Sequence, residues 1–257
     1  MFALVAGVFG LFIGSFLNVV IWRVPRGESV VKPRSRCPQC GHEIRGRDNV
    51  PVVSWLLLRG RCRDCKARVS PRYLFVELTT GVLFGLLTWH FGPHLVLIAY
   101  LYLAAISVAL GLIDIDVHRL PDALTLPSYP VAAVLLTAGA LAAHEPFDLA
   151  RAAIGGAALF LLYAVLWFVY PRGMGLGDVK LAGILGMYLG YLSWGTLAVG
   201  AFFGFALGGV LGVTLMAIGR ATRKSKIPFG PFMLAGALTA VFVGSSIAHT
   251  YLSFSRG

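Results

Sequence analysis

The sequence predicts an all-α membrane protein: a bundle of about eight transmembrane helices with a small zinc-ribbon-like insert on the cytoplasmic side. Composition, the spacing of apolar runs and the placement of basic residues each point there. Of 257 residues, 58% are hydrophobic and 13% charged, against about 45–50% apolar and about 25% charged in soluble domains. A water-soluble fold of this length cannot bury so much apolar surface, so lipid must be the solvent.

A helix needs roughly 20 mainly apolar residues to cross the hydrocarbon core. Eight runs approach that length, at about residues 2–22, 73–91, 95–113, 123–143, 151–170, 178–192, 195–218 and 229–252. The sixth is short. The first, Phe2 to Trp22, has no basic stretch ahead of it and is followed directly by Arg23 and Arg26. It reads as a retained span rather than a cleaved leader.

The net charge is +11, and thirteen of the 22 Lys and Arg fall between Arg23 and Arg72. Short loops rich in Lys and Arg stay cytoplasmic. With eight spans and that segment inside, Arg119, Arg172 with Lys180, and Arg220 to Lys226 also fall inside. Only Arg151 and Arg256 are left outside. Both termini are then external. A basic nucleic-acid surface is disfavoured, because the charges follow membrane topology throughout.

Residues 23–72 interrupt the apolar pattern between the span 1–22 and the seven-helix remainder, 73–257. About 50 residues rarely fold without a disulfide or a metal. All four cysteines lie here, as Cys37-Pro-Gln-Cys40 and Cys62-Arg-Asp-Cys65, with 21 residues between the pairs. Two thiolates three positions apart in a tight turn can share one tetrahedral ion, and Gly41 helps the first turn form. In a reducing cytosol, disulfides are disfavoured. Structural zinc on Cys37, Cys40, Cys62 and Cys65 is the expectation, with His42 a polar loop residue.

Ionisable groups at helix ends in lipid are functional candidates. The third run ends in Asp114-Ile-Asp116-Val-His-Arg-Leu-Pro-Asp122, and the fifth leads into Pro171-Arg-Gly-Met-Gly-Leu-Gly-Asp178-Val-Lys180. Topology puts both on the cytoplasmic side. Two carboxylates in a partly dry site share a proton and can serve as base and acid in peptide hydrolysis. Gly173, Gly175 and Gly177 permit close approach of a peptide backbone. An ion or proton site in a transporter explains the carboxylates equally well. Asp116, His118 and Asp122 also read as a hydrated loop, with Asp122 a turn or cap residue.

The motifs then become specific. Gly14-Ser-Phe-Leu-Asn-Val-Val-Ile-Trp-Arg23-Val-Pro25, Pro33-Arg-Ser-Arg-Cys-Pro-Gln-Cys40, Asn49-Val-Pro51, Ser54-Trp55, Leu58-Arg-Gly-Arg-Cys62 and Arg72-Tyr73 precede Asp114 to Asp122, Gly173 to Lys180 and Phe229-Gly-Pro-Phe232. Over nearly its whole length the chain resembles the bacterial type IV prepilin peptidases, bifunctional leader peptidase and N-methyltransferase enzymes of the GxGD aspartyl protease class. The resemblance implies cleavage of prepilin-like precursors after a short basic leader, at a Gly–Phe-type bond on the cytoplasmic face of the inner membrane. It also implies methylation of the new amino terminus from S-adenosylmethionine, in a pilus, type II secretion or DNA-uptake setting. It assigns catalysis to Asp114 and Asp178, with Gly175, Gly177, Lys180 and Asp116 in support, and associates residues 23–72 with the methyltransferase. Trp22 and Leu74 depart from the family's usual Tyr and Pro. No glycine-rich nucleotide fingerprint follows a strand, so Asn18, Arg23, Glu28 and Glu77 stand as candidates for holding the methyl donor or the substrate amine. Helix-packing hydrogen bonds and interfacial anchoring account for the same four residues.

Overall fold

The computed structural model describes residues 1–171, 173–220, 222 and 227–254; Arg172, Arg223, Lys224, Lys226 and Arg256 of the charge pattern lie outside the described residues. Among the described residues, nine α-helices follow one another: α1 (Phe2–Arg23), α2 (Val53–Leu57), α3 (Arg72–Phe91), α4 (Val96–Val117), α5 (Asp122–Ala143), α6 (Phe147–Val169), α7 (Leu176–Leu192), α8 (Trp194–Ala217) and α9 (Gly230–Phe254). Among the described residues, extended pairing is limited to the isolated bridges Arg36–Glu43 and Arg61–Arg68. An unpaired backbone amide or carbonyl is costly in lipid, which is why the apolar runs close their hydrogen bonds internally as helices.

Seven of the described helices are long and apolar enough to cross a membrane: all except α2 and α7. The difference from the expected eight lies in α7, whose 17 residues span only about 26 Å at 1.5 Å per residue, against a hydrocarbon core of about 30 Å. It nonetheless runs through the bundle. Gly230, at the start of α9, donates its N–H to Asp114 near the end of α4. With five helices alternating in direction from α5 to α9, that meeting requires α7 to take its turn.

The chain divides into two compact units, Met1–Ala109 and Leu110–Gly257. In the first, α1 and α3 pack through small residues. A Cβ on Gly10 would lie 2.8 Å from Phe84 Cβ, and one on Gly14 would lie 2.7 Å from Glu77 Cα. Lipid supplies no hydrophobic drive between spans, so close backbone approach replaces it. Residues 24–71 leave and re-enter this pair at one end.

In the second unit, α6 meets α7 through facing glycines: a Cβ on Gly186 would come within 2.8 Å of Gly156 Cα. Helices α8 and α9 meet likewise, a Cβ on Gly236 lying 2.9 Å from the Phe203 carbonyl carbon. Helix α7 is buried on nearly every side, including Val179, Leu181, Ile184, Tyr188 and Leu189. Its last carbonyls are capped by Arg151, which donates to Gly190 (2.6 Å), Tyr191 and Leu192 (3.1 Å) and pairs with Asp148 at 2.7 Å. Arg151 was one of two basic residues placed outside by the charge pattern, and its partners explain the exception: it answers a helix C-terminus.

Gly186→Leu should therefore wedge α6 from α7 and destabilise the protein by about 1–3 kcal/mol, as overpacking typically does. Gly46→Ala faces open space and should stay within about 0.5 kcal/mol of the parent. Thermal unfolding in detergent measures both.

Candidate active site

Asp114 lies in the last turn of α4, which continues past residue 113 to Val117. Asp178 lies in the first turn of α7. Both are buried, 5% and 8% exposed respectively, and close enough for their charges to interact. Asp178 Oδ2 accepts the N–H of Gly175 at 3.0 Å. Asp114 Oδ2 accepts the N–H of Gly230 at 3.1 Å. Each carboxylate thus spends one oxygen on the amide of a glycine at a helix start, where the dipole favours negative charge. The GxGD segment places the donor locally, since Gly175 is the extended cap before α7 (φ −87°, ψ 155°). For Asp114 the donor comes from 116 residues away.

Glycine at Gly230 leaves room for the carboxylate: a Cβ there would sit 2.7 Å from Asp114 Oδ2 and displace it. Gly177 presses against the loop after α4: its Cβ would meet Leu120 Cβ at 2.9 Å. That loop begins where His118, at φ +52°, donates its N–H to the Asp114 carbonyl at 2.9 Å. It ends at Asp122, whose Oδ1 pairs with Lys180 Nζ at 2.6 Å. Tyr129 reinforces the tie by donating to the Lys180 carbonyl at 2.7 Å. Asp116 is exposed, on a different face of α4 from its buried neighbour two residues back. Gly230 and Leu120 were missed as site residues by sequence reasoning. Both stood inside quoted motifs, but their roles depend on contacts between distant segments.

In the first unit, the four cysteine sulfurs lie within 4.8 Å of one another, and Cys37 Sγ and Cys65 Sγ are 3.8 Å apart. A tetrahedral ion with sulfur ligands at about 2.3 Å requires S···S near 3.8 Å, so the cluster fits a tetrathiolate metal. Each pair forms the same turn: Gly41 N–H to the Cys37 carbonyl (2.9 Å) and Lys66 N–H to the Cys62 carbonyl (3.0 Å), at φ +72° and +60°. Backbone N–H groups of Cys40 and Gln39 pull the Cys37 thiol down to about 7. At Cys40 the N–H of His42 acts in the same sense, yet burial and the neighbouring sulfurs outweigh it and push the thiol up to about 12. Four thiolates this close need a cation. Asp48 ties the spacer to the second turn through Arg63 at 2.6 Å; those hydrogen bonds hold its carboxyl below the usual range.

The four candidates for the methyl-donor site fall at one end of α1 and α3. Asn18 donates to the carbonyls of Gly14 (3.3 Å) and Tyr73 (3.2 Å). Arg23 holds the carbonyls of Ser29 (2.8 Å) and Pro33 (2.7 Å). Glu77, 8% exposed, accepts the Val52 N–H at 2.7 Å, and Glu28 is exposed. Arg23 and Glu77 therefore serve the docking of residues 24–71 onto the helix pair, and Asn18 ties α1 to α3.

Fold and site together define a multi-pass membrane protein with a paired-carboxylate centre of the kind that hydrolyses peptide bonds. Comparison with known proteins agrees. Residues 8–91 match the bacterial peptidase A24 N-terminal domain and residues 101–213 match the type IV leader peptidase family. The chain is 37% identical to the prepilin leader peptidase/N-methyltransferase of Stutzerimonas stutzeri, over 99% of this chain and 95% of that one. It is 36% identical to the protein of the same name from Pseudomonas aeruginosa (99% and 94%) and 42% identical to that of Myxococcus xanthus (88% and 67%). The chain belongs to the type IV leader peptidase family. No solved structure matches it.

If the cysteine cluster is a metal site, purified protein should carry close to one metal ion per chain. Cys37→Ser with Cys40→Ser should remove it, as elemental analysis by mass spectrometry will show. Retained stoichiometry would place the ion elsewhere.

Proposed function

We propose that this protein removes the leader from prepilin-like precursors by aspartyl protease chemistry at Asp114 and Asp178. The new amino terminus is then N-methylated, with S-adenosylmethionine as donor. The observation that carries the first half is the carboxylate pair, buried and each held by one glycine N–H. Holding Oδ2 fixes each carboxylate and leaves its other oxygen for the reaction. One carboxylate, ionised, takes a proton from water as the water oxygen attacks the scissile carbonyl carbon. The other, protonated, hydrogen-bonds the carbonyl oxygen and supplies its proton as charge develops there. Collapse of the tetrahedral intermediate breaks the C–N bond, and the amine leaves with the proton returned by the first carboxylate. Lys180 supports by tying α7 to the loop at Asp122, and Asp116, on the exposed side of α4 two residues from Asp114, stands in a supporting place.

The reading places the protein in the bacterial inner membrane, with residues 23–72 and the carboxylates on the cytoplasmic side and both termini outside. The distribution of Lys and Arg supports this orientation. A precursor's basic leader then stays at the surface, its apolar stretch enters the bilayer, and the Gly–Phe-type bond between them falls at the depth of the aspartates. Residues 23–72 form the methyltransferase-associated domain, and 73–257 form the peptidase. Cys37, Cys40, Cys62 and Cys65 would hold zinc, which fixes a segment too small for its own core. When bound, S-adenosylmethionine supplies an electrophilic methyl group for the freed α-amine. Asn18, Arg23, Glu28 and Glu77 set out polar groups for the donor or the amine at the end of α1 and α3.

Asp114→Ala or Asp178→Ala should each lower precursor cleavage by about 10³-fold or more while the protein stays folded in the membrane with its helicity retained. Cleavage surviving in either variant would remove that residue from the centre. Mass measurement of the wild-type product should show one added methyl group at the amino terminus. An unmodified terminus in the presence of the donor would confine the protein to the peptidase step.

A further inference from the structure

The loop between α4 and α5 does more than connect them. Leu120 is a large apolar residue on a basic, otherwise exposed loop, flanked by Arg119, yet it is only 8% exposed. Its side chain packs against two glycines, tightly at Gly177 and at ordinary contact distance at Gly230. A Cβ on Gly177 would fall 2.9 Å from Leu120 Cβ, and one on Gly230 would fall 3.5 Å from Leu120 Cδ1. Those glycines are the immediate neighbour of Asp178 and the residue whose N–H holds Asp114. The notch that Leu120 fills therefore lies between the mounts of the two carboxylates, at the place a scissile peptide must reach.

We infer that the notch between Gly177 and Gly230 is the subsite for an apolar side chain flanking the scissile bond, filled in the resting enzyme by the chain's own Leu120. The inference rests on the peptidase reading above. A peptide whose carbonyl sits between Asp114 and Asp178 must put an adjacent side chain near these glycines. The space already accepts a branched aliphatic group, Leu120, beside the two glycines. The loop is arranged to yield. His118, at φ +52°, holds a backbone conformation that a residue with a Cβ adopts at a cost, so release at that hinge is favoured. At its other end the loop is fastened by the Lys180–Asp122 pair, with side chains 30% and 57% exposed. Pairs that open to water hold weakly. Displacing Leu120 is then the toll a substrate meets on binding, and the apparent affinity falls by the fraction of molecules in which the notch is open.

The test is steady-state cleavage of a leader-bearing precursor by the full-length protein in lipid vesicles. Wild-type protein must cleave it; if it does not, the peptidase reading fails before any Leu120 variant is compared. Given wild-type cleavage, Leu120→Ala should lower KM by about threefold or more, with kcat within about twofold of the parent. Leu120→Met, which refills the notch, should restore the parental KM. A residue that merely clasped the two glycines together would do the reverse, so an unchanged or raised KM, or a collapsed kcat, overturns the inference. Should Leu120→Ala not fold, Leu120→Cys decides. In an Asp178→Ala background, so that bound precursor is not consumed, maleimide labelling at residue 120 should rise when precursor is added, over the background of the four native cysteines. Unchanged or diminished labelling overturns it equally.

Discussion

The hydrogen bond from the Gly230 N–H to Asp114 joins the first turn of α9 to the last turn of α4, and most of the second unit depends on it. A carboxylate buried in a helix bundle needs a donor. The C-terminal end of α4, where Asp114 sits, offers only carbonyls. Bringing in the amino terminus of another helix satisfies the carboxylate and places it at the positive end of a dipole. The same contact fixes direction: α9 must begin where α4 ends, so the helices between them must alternate, and the short α7 must cross with them. Asp178 then arrives at the same end on the first turn of α7, held by its own glycine amide.

Lipid explains why glycine recurs at every helix pairing described. Apolar side chains gain little by leaving hydrocarbon for a protein interior, so helices hold together by approach of their backbones. Gly10 and Gly14 serve α1 and α3, Gly155 and Gly156 meet Gly186, and Gly204 meets Gly236. Close packing around α7 also fixes the first turn that carries Asp178. Outside the bilayer the requirement reverses. Residues 24–71 have too little apolar surface for a core, and order there comes from the cysteine cluster, from Asp48 with Arg63, and from Glu77, which reaches out of α3 to the amide of Val52.

The spans were legible in the sequence because an apolar run in lipid has only one way to satisfy its backbone. Boundaries were less so. Helix α4 continues four residues past the expected 113, since Asp114 and Asp116 end the apolar run without ending the helix. Helix α6 begins at Phe147 rather than 151, Arg151 being drawn inside by the carbonyls of α7. The two aspartates and four cysteines were legible as chemistry in an unusual place, and their assembly into a pair and a cluster followed from ordered motifs. Gly230 and Leu120 were not. A glycine before a proline and a leucine in a loop carry no signal until distant segments are laid against them. Arg23 and Glu77, which stand as ligand candidates, also support the backbone of the insert, and Asn18 ties α1 to α3 at Tyr73.

The central claim is that Asp114 and Asp178 act together on one scissile peptide bond. The most direct measurement is calorimetric binding of a peptide isostere whose hydroxyl imitates the tetrahedral intermediate, since such analogues draw on the interactions that speed the reaction. The account predicts that the wild-type protein binds the isostere at least about 10²-fold more tightly than the matching uncleaved peptide. Either Asp114→Ala or Asp178→Ala should abolish that advantage, and the double substitution should do no further harm. An isostere advantage that survives the loss of one aspartate, or that falls by separate and additive steps, would contradict it.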